Sequence, residues 1–260
     1  MDAGIRLGIF LGVFVAVALW ERSAPRRRRI ESTGRRWSTN WGMSILDTAM
    51  VRIVFGAAAV GAALDAEAHG IGFFYATDWP LWLEFLLVLV IFDFAIWLQH
   101  VASHKIPLLW RLHRVHHADR DLDVSSGIRF HPLEIAVSMS LKIGLVYALG
   151  APVWAVIVFE AILSSAALFT HGNLRLPGRL DRALRWVVVT PDMHRVHHSV
   201  HRVEHDTNYG FNLAIWDRIF GTYTAEPAGG QEGMTLGLAE HQDTGPSRLL
   251  WSLALPFRRR

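Results

Sequence analysis

The chain has 260 residues, 52% of them hydrophobic and only 19% charged, with a net charge of +3. A soluble domain carries about a quarter charged residues, so this balance is that of a membrane protein, and its arginine-rich basic excess fits loops beside apolar spans rather than nucleic-acid binding. There is no cysteine, which excludes disulfides, thiolate-bound zinc, iron–sulfur clusters and cysteine nucleophiles.

Residues 4–20 form an apolar run long enough to span a bilayer. Its positive charge follows the run: seven arginines lie in 21–37, against Arg6 alone before it. No small-residue cleavage pattern is present. This is the reverse of a secretory signal and predicts an anchor with its N-terminus outside and the arginine loop inside. Residues 43–64 are a weaker span, interrupted by Asp47 and Arg52, whose Ala- and Gly-rich part suits close packing on protein. Residues 65–80 carry three acidic residues and no Lys or Arg, as an outside loop should, with Phe73, Phe74, Tyr75 and Trp79 suited to an interface.

The clearest span is 81–99. Asp93 within it should turn toward protein or a cavity, and the helix should deliver His100 and His104 to its cytoplasmic end. Residues 105–132 read as a basic, histidine-bearing inside segment. From 133 to 170 the chain is apolar again, broken at Gly150-Ala151-Pro152, which predicts a hairpin of two spans with His131 and His171 flanking it at one face. Residues 172–247 are mostly polar, turn-rich over 226–246, and the tail over 248–260 reads as an interfacial segment ending in three arginines.

These elements predict an all-α, polytopic membrane protein with four to five transmembrane helices and a cytoplasmic, histidine-rich helical metal site. Three parts follow: N-terminal spans and arginine loop (1–80), a histidine-bearing catalytic part with its hairpin (81–225), and a C-terminal tail (226–260). Without a span over 43–64, His100 and His104 would fall on the outside.

The sequence HRVHH occurs at 113–117 and again at 194–198. On a helix, histidines at i, i+3 and i+4 share one face within a turn. With the i, i+4 pair His100 and His104, ten of the fourteen histidines join one pattern: His100, His104, His113, His116, His117, His131, His171, His194, His197 and His198. Neutral imidazole binds divalent iron, zinc or copper, and ten ligands are too many for one ion and suit two. His69 and His241 read as packed or surface residues, and His201 and His205 as supporting or solvated ones.

A zinc protease needs a glutamate after its first histidine; here the corresponding residues are Val101, Arg114 and Arg195. Haem ligation has no need of clustered histidines. Metal transport predicts ionisable groups deep in several spans, where only Asp93, Lys142 and Glu160 stand. A non-catalytic metal-binding or transporting protein and a zinc-dependent membrane hydrolase remain as alternatives.

The order HxxxH, HxxHH, HxxHH resembles the membrane-bound fatty acid hydroxylase / sterol desaturase superfamily. RFHPLE at 129–134, LFTHGN at 168–173, TPDMHRVHHS at 190–199, NYGFNL at 208–213 and WDRIFGTY at 216–223 extend the likeness over 85–223. The resemblance implies a di-iron centre of two iron ions that activates O2, oxidises an unactivated C–H bond of a lipid or sterol-like substrate, and has no catalytic residue separate from the metals. It implies as ligands His100, His104, His113, His116, His117, His194, His197 and His198, with His131 and His171 at positions where such proteins also place histidines. Electrons require a separate donor protein, since the chain has neither a cysteine-ligated centre nor a GxGxxG fingerprint. Asp119, Asp123, Glu134, Asp192 and Asp206 are candidates to orient ligand imidazoles. Asn208 and Tyr209 are entrance or turn residues, and Asp217 and Arg218 a structural ion pair.

Overall fold

A computed structural model describes residues 3–258. Helix α1 (Ala3–Ser23) is followed by α2 (Thr33–Phe55), α3 (Ala58–His69) and α4 (Leu81–Lys105). Next come α5 (Pro107–His117), the hairpin α6 (Pro132–Leu149) and α7 (Val153–His171), then the short α8 (Gly178–Leu184) and α9 (Pro191–His197). No strand occurs among the described residues, only three isolated bridges. Five stretches are long and apolar enough to cross a membrane: Gly4–Ser23, Thr33–Ala76, Leu81–Lys105, Pro132–Leu149 and Val153–His171.

Prolines divide the chain where the site needs new directions. Pro107 cannot donate to a continuing α4, yet its fixed φ suits the first turn of α5. The helix therefore stops after Lys105 and restarts at Pro107, aimed to carry the first HRVHH. Pro132 and Pro191 open α6 and α9 in the same way, and the Thr190 side chain caps α9 by accepting the Met193 N–H. Gly150, with φ +67°, ends α6 in the left-handed conformation. A side chain at Gly72 would strike its backbone, with a Cβ only 2.0 Å from the Gly150 nitrogen.

Among the apolar helices the packing is small-to-large. Ala59, Ala62 and Ala63 of α3 meet the buried Val88, Phe92, Met139, Val146 and Phe159 of α4, α6 and α7. Phe92 and Phe159 pack edge to face at 5.2 Å. Between lipid-immersed helices such close contact, rather than transfer from water, supplies the attraction. Asp93 turns inward as expected, accepting hydrogen bonds from Asn212 Nδ2 at 2.8 Å and Trp216 Nε1 at 2.7 Å.

Three expectations change. First, the second span begins at Thr33 instead of 43, and bends where Gly56 and Ala58 take φ of +58° and +55°. Its first turns look like loop by hydropathy because they are polar, yet Arg36 and Asn40 are buried against the histidine-bearing segment. Second, the tail does more than lie at an interface. Its helix Leu249–Ala254 and the turn Leu255–Phe257 dock on α5, where Arg114 donates to Leu255 O at 2.6 Å and Arg111 to Pro256 O at 2.6 Å. Of the three terminal arginines, Arg259 and Arg260 lie outside the described residues. Third, Asp217 and Arg218 do not pair. Asp217 accepts from Trp97 Nε1 and the backbone N–H groups of Tyr209 and Gly210, while the Arg218 guanidinium lies between the Trp186 and Tyr223 rings.

Candidate metal centre

α4 and α7 end, and α6 begins, at one end of the bundle, and α5 and α9 close over that end. Both HRVHH runs are helical, with His198 as the cap residue of α9. Nine of the ten singled-out histidines come together there as two groups. His100, His104, His113, His117 and His197 form one, and His116, His171, His194 and His198 the other, the ligand atoms in each lying within 4.8 Å of one another. The groups touch: the His117 and His198 rings stack at 4.5 Å. Each HRVHH divides itself, sending two of its histidines to one group and one to the other. All nine are buried.

His131 joins neither group. Its Nδ1 caps α6 by accepting the Leu133 N–H at 3.2 Å, and its Nε2 faces Leu253 O at 3.3 Å. A residue just before Pro132 is held in extended conformation, which turns the ring toward the tail. His69 and His241 also stand apart: His69 is exposed beside Asp65, and His241 packs on Trp251. His201 is exposed. His205, by contrast, stacks on Trp110 at 5.3 Å, and Trp110 lies 5.0 Å from the His104 ring.

The hydrogen bonds of these rings test whether a metal fits. Nδ1 of His100 donates to Tyr209 O at 2.7 Å, that of His116 to Arg129 O at 3.0 Å, and that of His171 to Ala167 O at 2.7 Å. His197 Nδ1 donates to Thr207 O at 2.7 Å, and His113 Nδ1 to the Glu134 carboxylate at 2.6 Å. A ring that donates from Nδ1 bears a lone pair on Nε2, so these tautomers follow from their partners. Yet the Nε2 atoms face each other: His100 and His113 at 3.0 Å, His116 and His171 at 3.0 Å, His171 and His194 at 3.0 Å. Lone pairs so placed repel unless a cation lies between them. Two nitrogens each about 2.1 Å from one ion stand no more than about 4.2 Å apart, so these separations would suit a shared ion. The donor set fits metal.

Electrostatics agree. Burial, reinforced by neighbouring imidazoles, holds His116, His117, His194, His197 and His198 well below the ordinary histidine range. They are neutral near pH 7, the form that ligates.

Of the five carboxylates expected to orient imidazoles, Glu134 bonds His113, and Asp206 lies 3.4 Å from His104 Nδ1. Asp119 and Asp123 instead hold Arg36, which forks onto Asp119 at 2.7 Å and reaches Asp123 at 2.6 Å. The Arg36 guanidinium overcomes burial and pulls the Asp119 carboxyl down to about 2. Asp192 bonds Arg195 and Arg26. Arg129 ties this brace to the site, donating to Val115 O at 2.9 Å and Asn40 Oδ1 at 2.9 Å while its own carbonyl accepts from His116. Sequence reasoning missed Arg36 and Arg129, since nothing in a run of arginines marks the buried one. Asn208, at φ +54°, is a turn residue that donates to Met193 O and Thr224 O, and Tyr209 supplies the carbonyl under His100.

In front of the histidines lies an apolar cavity of about 230 Å³ bounded by His100, His113, Glu134, Phe130, Met139 and Phe211.

The fatty acid hydroxylase family matches residues 85–222. Ornithine lipid hydroxylase OlsE of Rhizobium tropici is 30% identical over 269 aligned residues, 97% of this chain and 75% of that protein. The alkylglycerol monooxygenases of Xenopus tropicalis and Homo sapiens are each 30% identical over 58% of the chain, which spans only 32% of their length. No solved structure matches the chain. The match runs from within α4 to beyond α9 and takes in all nine clustered histidines: the chain belongs to the fatty acid hydroxylase family.

Proposed function

We propose that this protein is a membrane-embedded oxygenase that uses two histidine-held iron ions, O2 and electrons from a separate donor protein to hydroxylate or desaturate a lipid. The observation that carries this reading is the juxtaposition of a five-histidine and a four-histidine group, Nε2 atoms inward, beside an apolar cavity. The ligands are the nine clustered histidines, without His131. Iron bound there supplies the oxidation of a C–H bond, which no side chain can perform.

The chain's own residues position and exclude. Ile96, Phe130, Met139, Leu163 and Phe211 make the cavity wall a place for hydrocarbon and not for water. His100 and His113 bound the same cavity, so a substrate carbon in it lies directly against ligand rings. Glu134 holds the His113 proton on Nδ1, and the carbonyls of Tyr209, Arg129, Ala167 and Thr207 do the same for four further rings. Each bond fixes a ring's orientation as well as its tautomer.

The relatives' names, an ornithine lipid hydroxylase and alkylglycerol monooxygenases, support an intact polar lipid as substrate. The seven arginines of 21–37, at the histidine-bearing end of α1 and α2, support a cytoplasmic location for the site.

The test is elemental analysis and oxygen uptake of protein purified under reducing conditions. Two irons per chain and lipid-dependent oxygen consumption are expected, with a product heavier by one oxygen or lighter by two hydrogens. Fewer than two metal ions, with no iron-dependent oxygen uptake, would overturn the reading.

A further inference from the structure

A second group of charges lies within the spans and serves no part of the metal centre. Glu160 of α7 accepts from Lys142 Nζ of α6 at 2.9 Å and from Arg6 Nη2 of α1 at 2.5 Å. Lys142 and Glu160 are buried, at 9% and 8% exposure. Lys142 lies ten residues into α6, and Glu160 eleven residues before the end of α7. At the helical rise this places both about 15–17 Å from the histidine end. Glu160 and Arg6 line a hollow of about 490 Å³ that also takes in Arg52, Ser164 and Ser165. Arg52 makes no side-chain hydrogen bond or ion pair among the described residues and faces this hollow from α2.

The charges do not balance. Arg6 and Arg52 against Glu160 leave one positive charge in the hollow (2 − 1 = 1), and Glu160 is shared with Lys142, among apolar walls formed by Leu7, Phe10, Val51 and Val60. Uncompensated cations within a span are strongly disfavoured and mark binding sites. Guanidinium groups and serine hydroxyls are all donors to an oxyanion, while the walls suit hydrocarbon.

We propose that the hollow between α1, α2 and α7 binds the anionic headgroup of a lipid, with Arg6 and Arg52 as its clamp and Glu160 fixing Arg6. Phe10, Met139 and Ser164 line both this hollow and the cavity before His100 and His113. A chain of a lipid held here therefore has a short path to the histidines. That last step rests on the oxygenase reading; the binding does not.

The test is binding of pyrene-labelled phosphatidylglycerol and phosphatidylcholine to the full chain in detergent, with metal removed so that the outcome is independent of turnover. Phosphatidylglycerol should bind tighter, and Arg6→Gln or Arg52→Gln should each reduce that preference roughly fivefold. Arg52→Lys should retain it, and Arg179→Gln, at an exposed residue of α8, should leave it unchanged. Arg52 is exposed and unpartnered, so its variants should fold, with a melting temperature as the check. Equal binding of the two lipids, an unaltered preference in both glutamine variants, or displacement by glycerol 3-phosphate as readily as by lipid would overturn the proposal.

Discussion

His116 and His197 belong to different groups although each lies in an HRVHH run. Replacing either with alanine removes a nitrogen from one group only, so metal content should fall from two ions per chain to about one, measured by elemental analysis. His131→Ala should leave both ions in place, because that ring caps α6 and faces the tail; equal metal loss there would mean the ligand set is wrongly drawn. Glu134→Gln replaces the carboxylate partner of the His113 ring with a weaker acceptor. Metal affinity should drop by roughly 10- to 100-fold, with retention on a chelator column as the readout. The histidine spacing that suggested the site is legible because it is local. The ring partners are not, since they come from carbonyls and carboxylates distant in sequence.

Among elements, the brace under the first HRVHH depends on the polar start of α2. Arg36→Met would leave Asp119 and Asp123 buried beside one another without their guanidinium. The expected loss is about 3–5 kcal/mol, as for one partner of a buried ion pair, seen as a lower melting temperature. Gly127 sits in the turn Val124–Ile128 pressed on α7, where a Cβ would stand 2.6 Å from Ala167 O. The same carbonyl accepts from His171. Gly127→Val should therefore destabilise the fold by about 1–3 kcal/mol and also loosen the His171 ring, lowering metal content. Normal metal loading in a folded Gly127→Val protein would show that the turn can yield without moving α7.

For the whole molecule, the clustered rings set an acid limit. Burial depresses the histidine pKa values in the folded chain, so the unfolded chain takes up protons first as pH falls. The stability and metal retention these rings contribute are complete above about pH 6.5, the unfolded histidine value, and are lost progressively below it. Asp119, held at about 2 by Arg36, contributes above its unfolded value near 4 and loses that contribution only toward pH 2. Acid titration of the metal-loaded protein should thus release metal before the Arg36 brace fails. Unchanged metal retention and melting between pH 7 and pH 5 would contradict this assignment.

What the sequence by itself determined is what depends on neighbours along the chain. Apolar length sets the five candidate spans, proline and glycine set their breaks, and the i, i+3, i+4 pattern sets the helical faces bearing histidine. Tertiary structure alone decided which histidines of those faces meet. The division into five and four and the burial of Arg36 among seven similar arginines arise from contacts between residues tens to hundreds of positions apart. The docking of the tail on α5 has the same origin. The two HRVHH runs look like separate copies in one dimension; crossed in space, each contributes to both halves of one centre.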